Sequence, residues 1–309
     1  MTARYLQDTA LRYFLEVVRC GSISEAALRL NVAGSAISRQ VSGLEDRLNT
    51  TLFERRKSGM TPTAAGELLA AYAFRNQLET EQVTQEIREL QGLRRGDVRI
   101  VSTAGFSLDF IPMAIASFRR HYPYIRFQLL VATAEEVARR LNEGESDIGL
   151  TFSQVPTANI HVAYRLHSPL VAVMQRHHPL AEKSSLRLSQ LAGYPLGVPV
   201  RHILTRRLFD ACCSRQGLLI DPAFETTSIS ALLAFARYCD GVVISTELVV
   251  RQYLKDHDMV AVPITGQDLN GLNIELNTLA GRTLPKAVSA FTDHLIRIME
   301  QEQEQQPEA

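Results

Sequence analysis

Residues 11–66 read LRYFLEVVRCGSISEAALRLNVAGSAISRQVSGLEDRLNTTLFERRKSGMTPTAAG, three helical periods followed by a basic hairpin. Leu11, Phe14, Leu15 and Val18 recur at i, i+3, i+4 and i+7, which buries one helical face, and Gly21-Ser22 breaks the pattern. Ser22 is expected to start a second helix: its hydroxyl accepts from the amide three residues on, Glu25 reaches back, and Ala26, Ala27 and Leu30 face inward. Asn31 suits the left-handed residue that closes a short helix. Val32 to Gly34 then form the turn, and a third helix runs to about Leu48 with Ile37, Val41, Leu44 and Leu48 on its buried side.

Burial of that side leaves Ser35, Ser38, Arg39 and Ser42 facing outward, with Gly34 at the helix entry. Short hydroxyls and one fork-shaped donor suit contacts with phosphates and base edges in a major groove. Beyond Leu52 and Phe53, which read as core anchors, Arg55, Arg56 and Lys57 lead into Ser58-Gly59, a basic turn suited to phosphate or minor-groove contact. A charge run alone is usually a solvated loop; beside a helix-turn-helix it is expected to be a DNA-contacting wing.

These segments resemble the DNA-binding region of LysR-type transcriptional regulators, which runs F-x-x-V-x-x-x-G-S, A-A-x-x-L, S-x-Q-[IV]-x-x-L-E, L-F-x-R and T-x-A-G. In order, this chain has Phe14, Val17, Gly21, Ser22; Ala26, Ala27, Leu30; Ser38, Gln40, Val41, Leu44, Glu45; Leu52, Phe53, Arg55; and Thr63, Ala65, Gly66. The resemblance implies a regulator that binds double-stranded promoter DNA as a homodimer, with a homotetramer and contact with RNA polymerase also expected. Ala33-Gly34-Ser35 departs from the family, which commonly places a base-contacting glutamine where Gly34 stands. Glycine cannot supply those hydrogen bonds, so Arg39 and Ser35, or DNA shape, are expected to carry more of the reading. Asn49 replaces a common glycine, a mild change because asparagine tolerates positive φ.

The 309-residue chain is 46% apolar and carries 33 Lys/Arg against 33 Asp/Glu. That length exceeds one average domain. No window approaches a membrane span or a signal peptide, so a soluble, cytoplasmic protein with no membrane partner is expected. Zero net charge suits a DNA binder only if positive charge is local. Residues 1–66 hold nine Lys/Arg against six Asp/Glu, so binding should weaken as salt rises.

Cys20, Cys212, Cys213 and Cys239 have neither zinc-ligand spacing nor the pattern of a secreted disulfide framework, and are expected to be reduced and buried. Cys212-Cys213 leaves a redox-sensor alternative open. His177-His178 falls within HHPLA, which resembles a family turn, and is read as structural rather than as a metal site. No metal and no cofactor are expected.

From Thr63 to about Leu90 the composition favours helix, with Leu68, Leu69, Tyr72, Leu78, Val83, Ile87 and Leu90 at near-helical spacing. A long single helix needs a partner, and the resemblance makes this the dimerisation helix. The expected organisation is α/β with an N-terminal all-α winged helix-turn-helix: DNA-binding domain 1–66, linker helix 67–91 and hinge 92–96, followed by an effector part. There, strands at Val98–Ser102, Phe127–Val131 and Asp147–Phe152 alternate with helices at Ile111–His121 and Ala134–Asn142, implying largely parallel sheets covered by helices. Phe118, Tyr122-Pro123, Leu141, Gly144 and Asp147-Ile148-Gly149 extend the resemblance. So do Pro169-Leu170-Val171, His178-Pro179-Leu180 and Leu191. They resemble the family's effector-binding domain, which is similar to periplasmic solute-binding proteins. Its two lobes would be 97–163 with 267–297, and 164–266, ahead of a Gln/Glu-rich tail, 298–309, expected to be disordered.

In such an architecture ligands bind where strand ends meet helix N-termini. The effector-binding candidates are therefore Ser102, Thr103 and Phe106; Thr151 and Phe152; Val200 and His202; and Thr227 and Ser228, although Ser and Thr at such places also serve as plain helix caps. Arg201 and His202 would suit an anionic metabolite. Tyr238-Cys239-Asp240-Gly241 stands where the family often has a glycine-rich turn, so that side of the cleft is expected to differ. The expected function is transcription regulation controlled by a small molecule bound between the lobes, the alternative being a constitutive DNA binder with a vestigial cleft. For an enzyme or transport-type binding protein the chain offers no G-x-S-x-G, no phosphate-cradling glycine loop and no metal spacing.

Overall fold

The computed structural model describes residues 6, 8–56, 59–90, 96–153, 157–266 and 272–304, and the chain divides into two compact units, Met1–Leu93 and Arg94–Ala309.

The first unit opens with α1 (Thr9–Cys20), capped by Asp8, whose carboxylate accepts from the amides of Ala10 at 2.7 Å and Leu11 at 3.1 Å. Gly21 (φ 63°) ends it. Ser22 caps α2 (Ile23–Leu30) by accepting from the Glu25 amide at 3.4 Å. The expected return bond from Glu25 is replaced by an ion pair to Arg29 at 3.1 Å, one turn along the same helix. Asn31 (φ 54°) closes α2 as foreseen. Helix α3 is Gly34–Leu48, so the turn is Val32-Ala33 and Gly34 is already helical. Ile37, Val41 and Leu44 are buried, but Leu48 is half-exposed in the last turn, where no neighbour covers it. Phe14, Ile37 and Leu52 are fully enclosed among these helices, each contributing about 1.5–3 kcal/mol.

The wing is an antiparallel pair, β1 (Phe53–Arg56) and β2 (Gly59–Pro62), in register from Phe53 opposite Pro62 to Arg56 opposite Gly59. Two family-motif residues pin its base: Glu45 accepts from the Leu52 amide at 2.8 Å, and the Thr63 hydroxyl donates to the Thr51 carbonyl at 2.8 Å. At Gly59 (φ 122°) a Cβ would fall 2.5 Å from the Gly21 carbonyl oxygen, which holds the hairpin against the α1–α2 turn through the bond from the Met60 amide at 2.7 Å. Helix α4 (Ala64–Leu90) follows, beginning three residues before the expected boundary. The expected hinge, 92–96, lies outside the described residues except for Gly96, which is already strand.

The second unit holds two sheets. One, ordered β4-β3-β5-β13-β6, contains β3 (Gly96–Ser102), β4 (Ile125–Val131), β5 (Ile148–Ser153), β6 (Ile160–His167) and β13 (Asn273–Leu279). Its first three strands are parallel, but β13 runs antiparallel to both β5 and β6. The second sheet, ordered β10-β9-β11-β7-β12-β8, contains β7 (Leu170–Gln175), β8 (Leu186–Arg187), β9 (Leu196–Pro199), β10 (Phe224–Thr226), β11 (Val242–Thr246) and β12 (Met259–Thr265). It is also mixed, with β7 antiparallel to β11 and β12. Both sheets are thus largely parallel, as expected, with one reversed strand each, β13 and β7, placed where the chain crosses between the sheets.

Since β6 belongs to the first sheet, the outward crossing follows His167, not residue 163. The return lies between Thr265 and Asn273. Around the sheets stand α5 (Ala104–Leu108), α6 (Phe110–Arg119), α7 (Ala134–Asn142), α8 (Leu204–Arg215), α9 (Ile229–Tyr238), α10 (Glu247–Asp256) and α11 (Lys286–Glu304). Helix α11 overturns the disordered tail for 298–304: Val288, Phe291, Leu295 and Met299 recur at helical spacing and are buried, while 305–309 lie outside the described residues.

Asp147 fastens the first sheet. Its buried carboxylate meets the Arg99 guanidinium at 2.7 Å and Arg282 at 2.9 Å. Burial would raise its pKa, but the Arg99 hydrogen bonds, aided by Arg282, hold it below the ordinary carboxylate value.

Candidate nucleic-acid interface and ligand cleft

On α3, Ser35, Arg39 and Ser42 are exposed, and Gly34 and Ser38 partly so. They share the face opposite Ile37, Val41 and Leu44, because a helix that buries one stripe must present the residues between. The Arg39 guanidinium rests along its own helix, its Nε 3.4 Å from the Ser35 carbonyl, and is free to swing outward. Gln40, noted in the sequence only as a motif position, is exposed beside it; its place on the open face was legible from the same periodicity. Arg55 and Arg56 end β1, but their side chains, and Lys57 as a whole, lie outside the described residues.

In the second unit a cleft of about 810 Å³ runs between the two sheets. Of the residues expected there, Thr103, Thr151, Phe152, His202 and Thr227 line it. Four do not. Ser102 and Phe106 are fully buried beneath it, the Phe106 ring 4.9 Å from that of Phe152. Val200 is not among the lining residues, and Ser228 is occupied as the α9 cap, accepting from the Ala231 amide at 3.3 Å. Arg201, the suggested companion of His202, is also outside the lining.

Sequence reasoning missed Thr133, Glu135, Thr205, Arg207, Ser245 and Thr246, all in the lining. Thr133 follows β4 and Thr246 ends β11, each just ahead of a helix, the same signal that picked out Thr103. The two Thr residues differ in what their hydroxyls do. Thr133 accepts from the Glu136 amide at 3.3 Å and caps α7. Thr246 and Thr103 stand at the N-caps of α10 and α5 without a side-chain cap bond, and both hydroxyls are buried without a partner. A buried hydroxyl left unpaired costs about 1–3 kcal/mol, and a bound ligand is one way to recover it. Glu135, at the start of α7, is held below the ordinary glutamate value by its own backbone amide and by Thr133, with a smaller contribution from the positive field of Arg207 and His202. The cleft therefore has apolar walls, two lining threonines whose unpartnered hydroxyls lie buried just beneath its surface, and charged side chains of both signs at one side.

No group of three or more His, Cys, Asp or Glu among the described residues is arranged to hold a metal. His178 is buried, its Nδ1 accepting from the Leu180 amide at 3.2 Å while the ring packs on Tyr194 at 4.6 Å, the structural role expected of it. Cys212 and Cys213 are buried on α8, and burial, with the nearby Asp210, pushes the Cys213 thiol up to about 11. This disfavours the thiolate that redox sensing needs. Two of the cysteines expected to be buried are not: Cys20 is half-buried on α1 and Cys239 is exposed in the turn after α9.

A family profile described as the LysR substrate binding domain matches residues 91–300, and one described as the bacterial regulatory helix-turn-helix protein, lysR family, matches residues 9–67. The chain belongs to the LysR family of transcriptional regulators. Among curated relatives it is 24% identical over 295 residues to a RuBisCO operon transcriptional regulator of Acidithiobacillus ferrooxidans, covering 96% of this chain and 95% of that one. It is 27% identical over 188 residues to the uncharacterized HTH-type transcriptional regulator YbhD of Escherichia coli, an alignment spanning 61% of this chain and 59% of that protein. A full-length OxyR variant from Pseudomonas aeruginosa has a similar fold, with TM-score 0.64 at 21% identity over 96% of this chain and 94% of that one. This LysR-family chain thus joins a helix-turn-helix reading head to an α/β substrate-binding domain. No helix among its described residues is long and apolar enough to cross a membrane.

Proposed function

We propose that this LysR-family regulator reads promoter DNA through Ser35, Ser38, Arg39 and Ser42 on α3, and grips the backbone through Arg55, Arg56 and Lys57 of the wing. Gly34 contributes close approach rather than a hydrogen bond. Control comes from a small effector in the cleft between the two sheets, contacted by Thr103, Thr151, Phe152, His202 and Thr227. The observation that carries this reading is the pair of buried, unpartnered hydroxyls, Thr103 and Thr246, in a cleft of about 810 Å³. A vestigial cleft would have no reason to retain them uncompensated. The N-terminus of α10, the Arg207 guanidinium and the His202 imidazole in the lining favour an effector with an anionic group; the apolar walls suit its hydrocarbon body.

Dimerisation is assigned to α4, where Leu68, Tyr72, Val83 and Ile87 remain exposed, and reading two half-sites one helical turn apart requires two heads. A tetramer, contact with RNA polymerase and a cytoplasmic site of action complete the reading. Thermal unfolding of the full-length protein against a panel of small carboxylates tests the cleft. Saturation at about a hundred times Kd should stabilise by about 2.7 kcal/mol, and replacement of Thr246 by Val should abolish that gain without lowering the ligand-free melting temperature.

A further inference from the structure

A second, smaller chamber of about 60 Å³ lies beneath the first turns of α7. It shares Ala134, Ala138, Thr151, Phe152, Ser153 and Thr157 with the main cleft, so it opens off that cleft rather than standing apart. Its roof is Val137 and Leu141, both fully buried, and its floor is the face of the sheet carrying Glu275 and Asn277. Strand register explains the polar floor: Glu275 stands opposite Thr151 on one neighbour and Arg165 on the other.

Two features mark this floor as built for a ligand. Asn277 is only 5% exposed, yet its side-chain oxygen has no hydrogen-bond partner. Glu275 is 3% exposed and uses one oxygen, Oε1, for both bonds from Arg165, at 3.0 and 2.7 Å. Among the described residues, no bond engages its second oxygen, which can accept from another donor. Thr151 spends its hydroxyl proton on the Phe152 carbonyl at 3.3 Å and can only accept from a newcomer. Among the described lining residues the one charged group is the Glu275 carboxylate, so the chamber favours a hydrogen-bond donor, a cationic one above all.

We propose that the chamber is a subsite for a hydrogen-bond-donating arm of the effector, an ammonium or hydroxyl group on a molecule whose anionic end occupies the main cleft. This rests on the ligand-responsive reading above and narrows it to a bifunctional carboxylate. The volume is several times the roughly 10–15 Å³ that one water needs, enough for an aminomethyl- or hydroxymethyl-sized group.

The test is titration calorimetry of the full-length protein with straight-chain carboxylates from propanoate to octanoate, each unsubstituted, ω-amino and ω-hydroxy. At one chain length an ω-substituted acid should bind about tenfold more tightly than its unsubstituted counterpart. Asn277→Leu should erase that preference in a protein that still unfolds cooperatively. Glu275→Gln separates the two arms: it should reduce an amino preference and spare a hydroxyl one. Equal binding of substituted and unsubstituted acids at every length, or a preference that survives Asn277→Leu, overturns the chamber and leaves the cleft reading intact. No binding by any carboxylate overturns the cleft reading itself, and this inference with it.

Discussion

At Gly34, the first residue of α3, the chain presents no side chain at the entry to the reading helix. A Cβ built there would meet only Ile23 Cγ2, at an ordinary 3.7 Å, so the glycine is not required by packing. Gly34→Ala should therefore fold normally and raise stability by up to about 1 kcal/mol, the usual gain from removing a helical glycine; denaturant unfolding measures it, and a loss would show an unrecognised backbone demand. Gly66 is the opposite case, since a Cβ there would lie 2.1 Å from the Leu52 carbonyl oxygen. Gly66→Ala should cost about 1–3 kcal/mol. For DNA reading, Arg39→Ala should lose discrimination between operator and random DNA. Arg56→Ala should weaken both and reduce the salt slope by about one. Fluorescence anisotropy across a salt series separates these effects, and wild-type behaviour of both variants would displace the reading head from α3 and the wing.

At the scale of elements, the Asp147 clamp joins β3, β5 and the segment before α11 through Arg99 and Arg282. Removing one partner of a buried ion pair strands the others, so Asp147→Ala should cost about 3–5 kcal/mol. The pH dependence follows from the depressed folded-state pKa of Asp147. The contribution is fully present above the unfolded aspartate value of about 4 and is lost as pH falls through the lower folded-state value. Wild-type melting temperature should drop below about pH 4 more steeply than that of Asp147→Asn, and parallel curves would deny the clamp its role. Helices and caps of the first unit were legible where each used a local device: Ser22 accepting at an N-terminus, Asn31 and Asn49 in the left-handed region at C-termini; the Asp8 cap of α1 was not foreseen. The five-residue α5 and the reversed strand β13 were not, because a short helix has no period to read and strand direction is set by distant crossings. Helix α11 was missed for a different reason. The Gln/Glu composition of its end masked the spacing of Leu295 and Met299.

Across the whole molecule, sequence reading located the cleft by its strand ends but could not sort its hydroxyls. Thr103, Thr133, Thr246 and Ser228 all look alike as Ser/Thr ahead of a helix. Only the three-dimensional arrangement shows that Thr133 and Ser228 cap their own helices while Thr103 and Thr246 keep theirs unspent, buried beneath the cleft lining. Exposed apolar residues on α4 carry the assembly claim: Leu68→Glu with Ile87→Glu should convert a dimer into a monomer in sedimentation velocity and abolish high-affinity operator binding. An unchanged sedimentation coefficient would place the dimer contact elsewhere. The most direct test of a reading head governed by a ligand cleft is footprinting of the full-length protein on the DNA beside its own gene, with and without a library of small carboxylates. The account predicts a protected dyad that shortens or shifts with at least one compound. A footprint that no compound alters would contradict control through the cleft, and absence of any protection would contradict the DNA-reading role of α3.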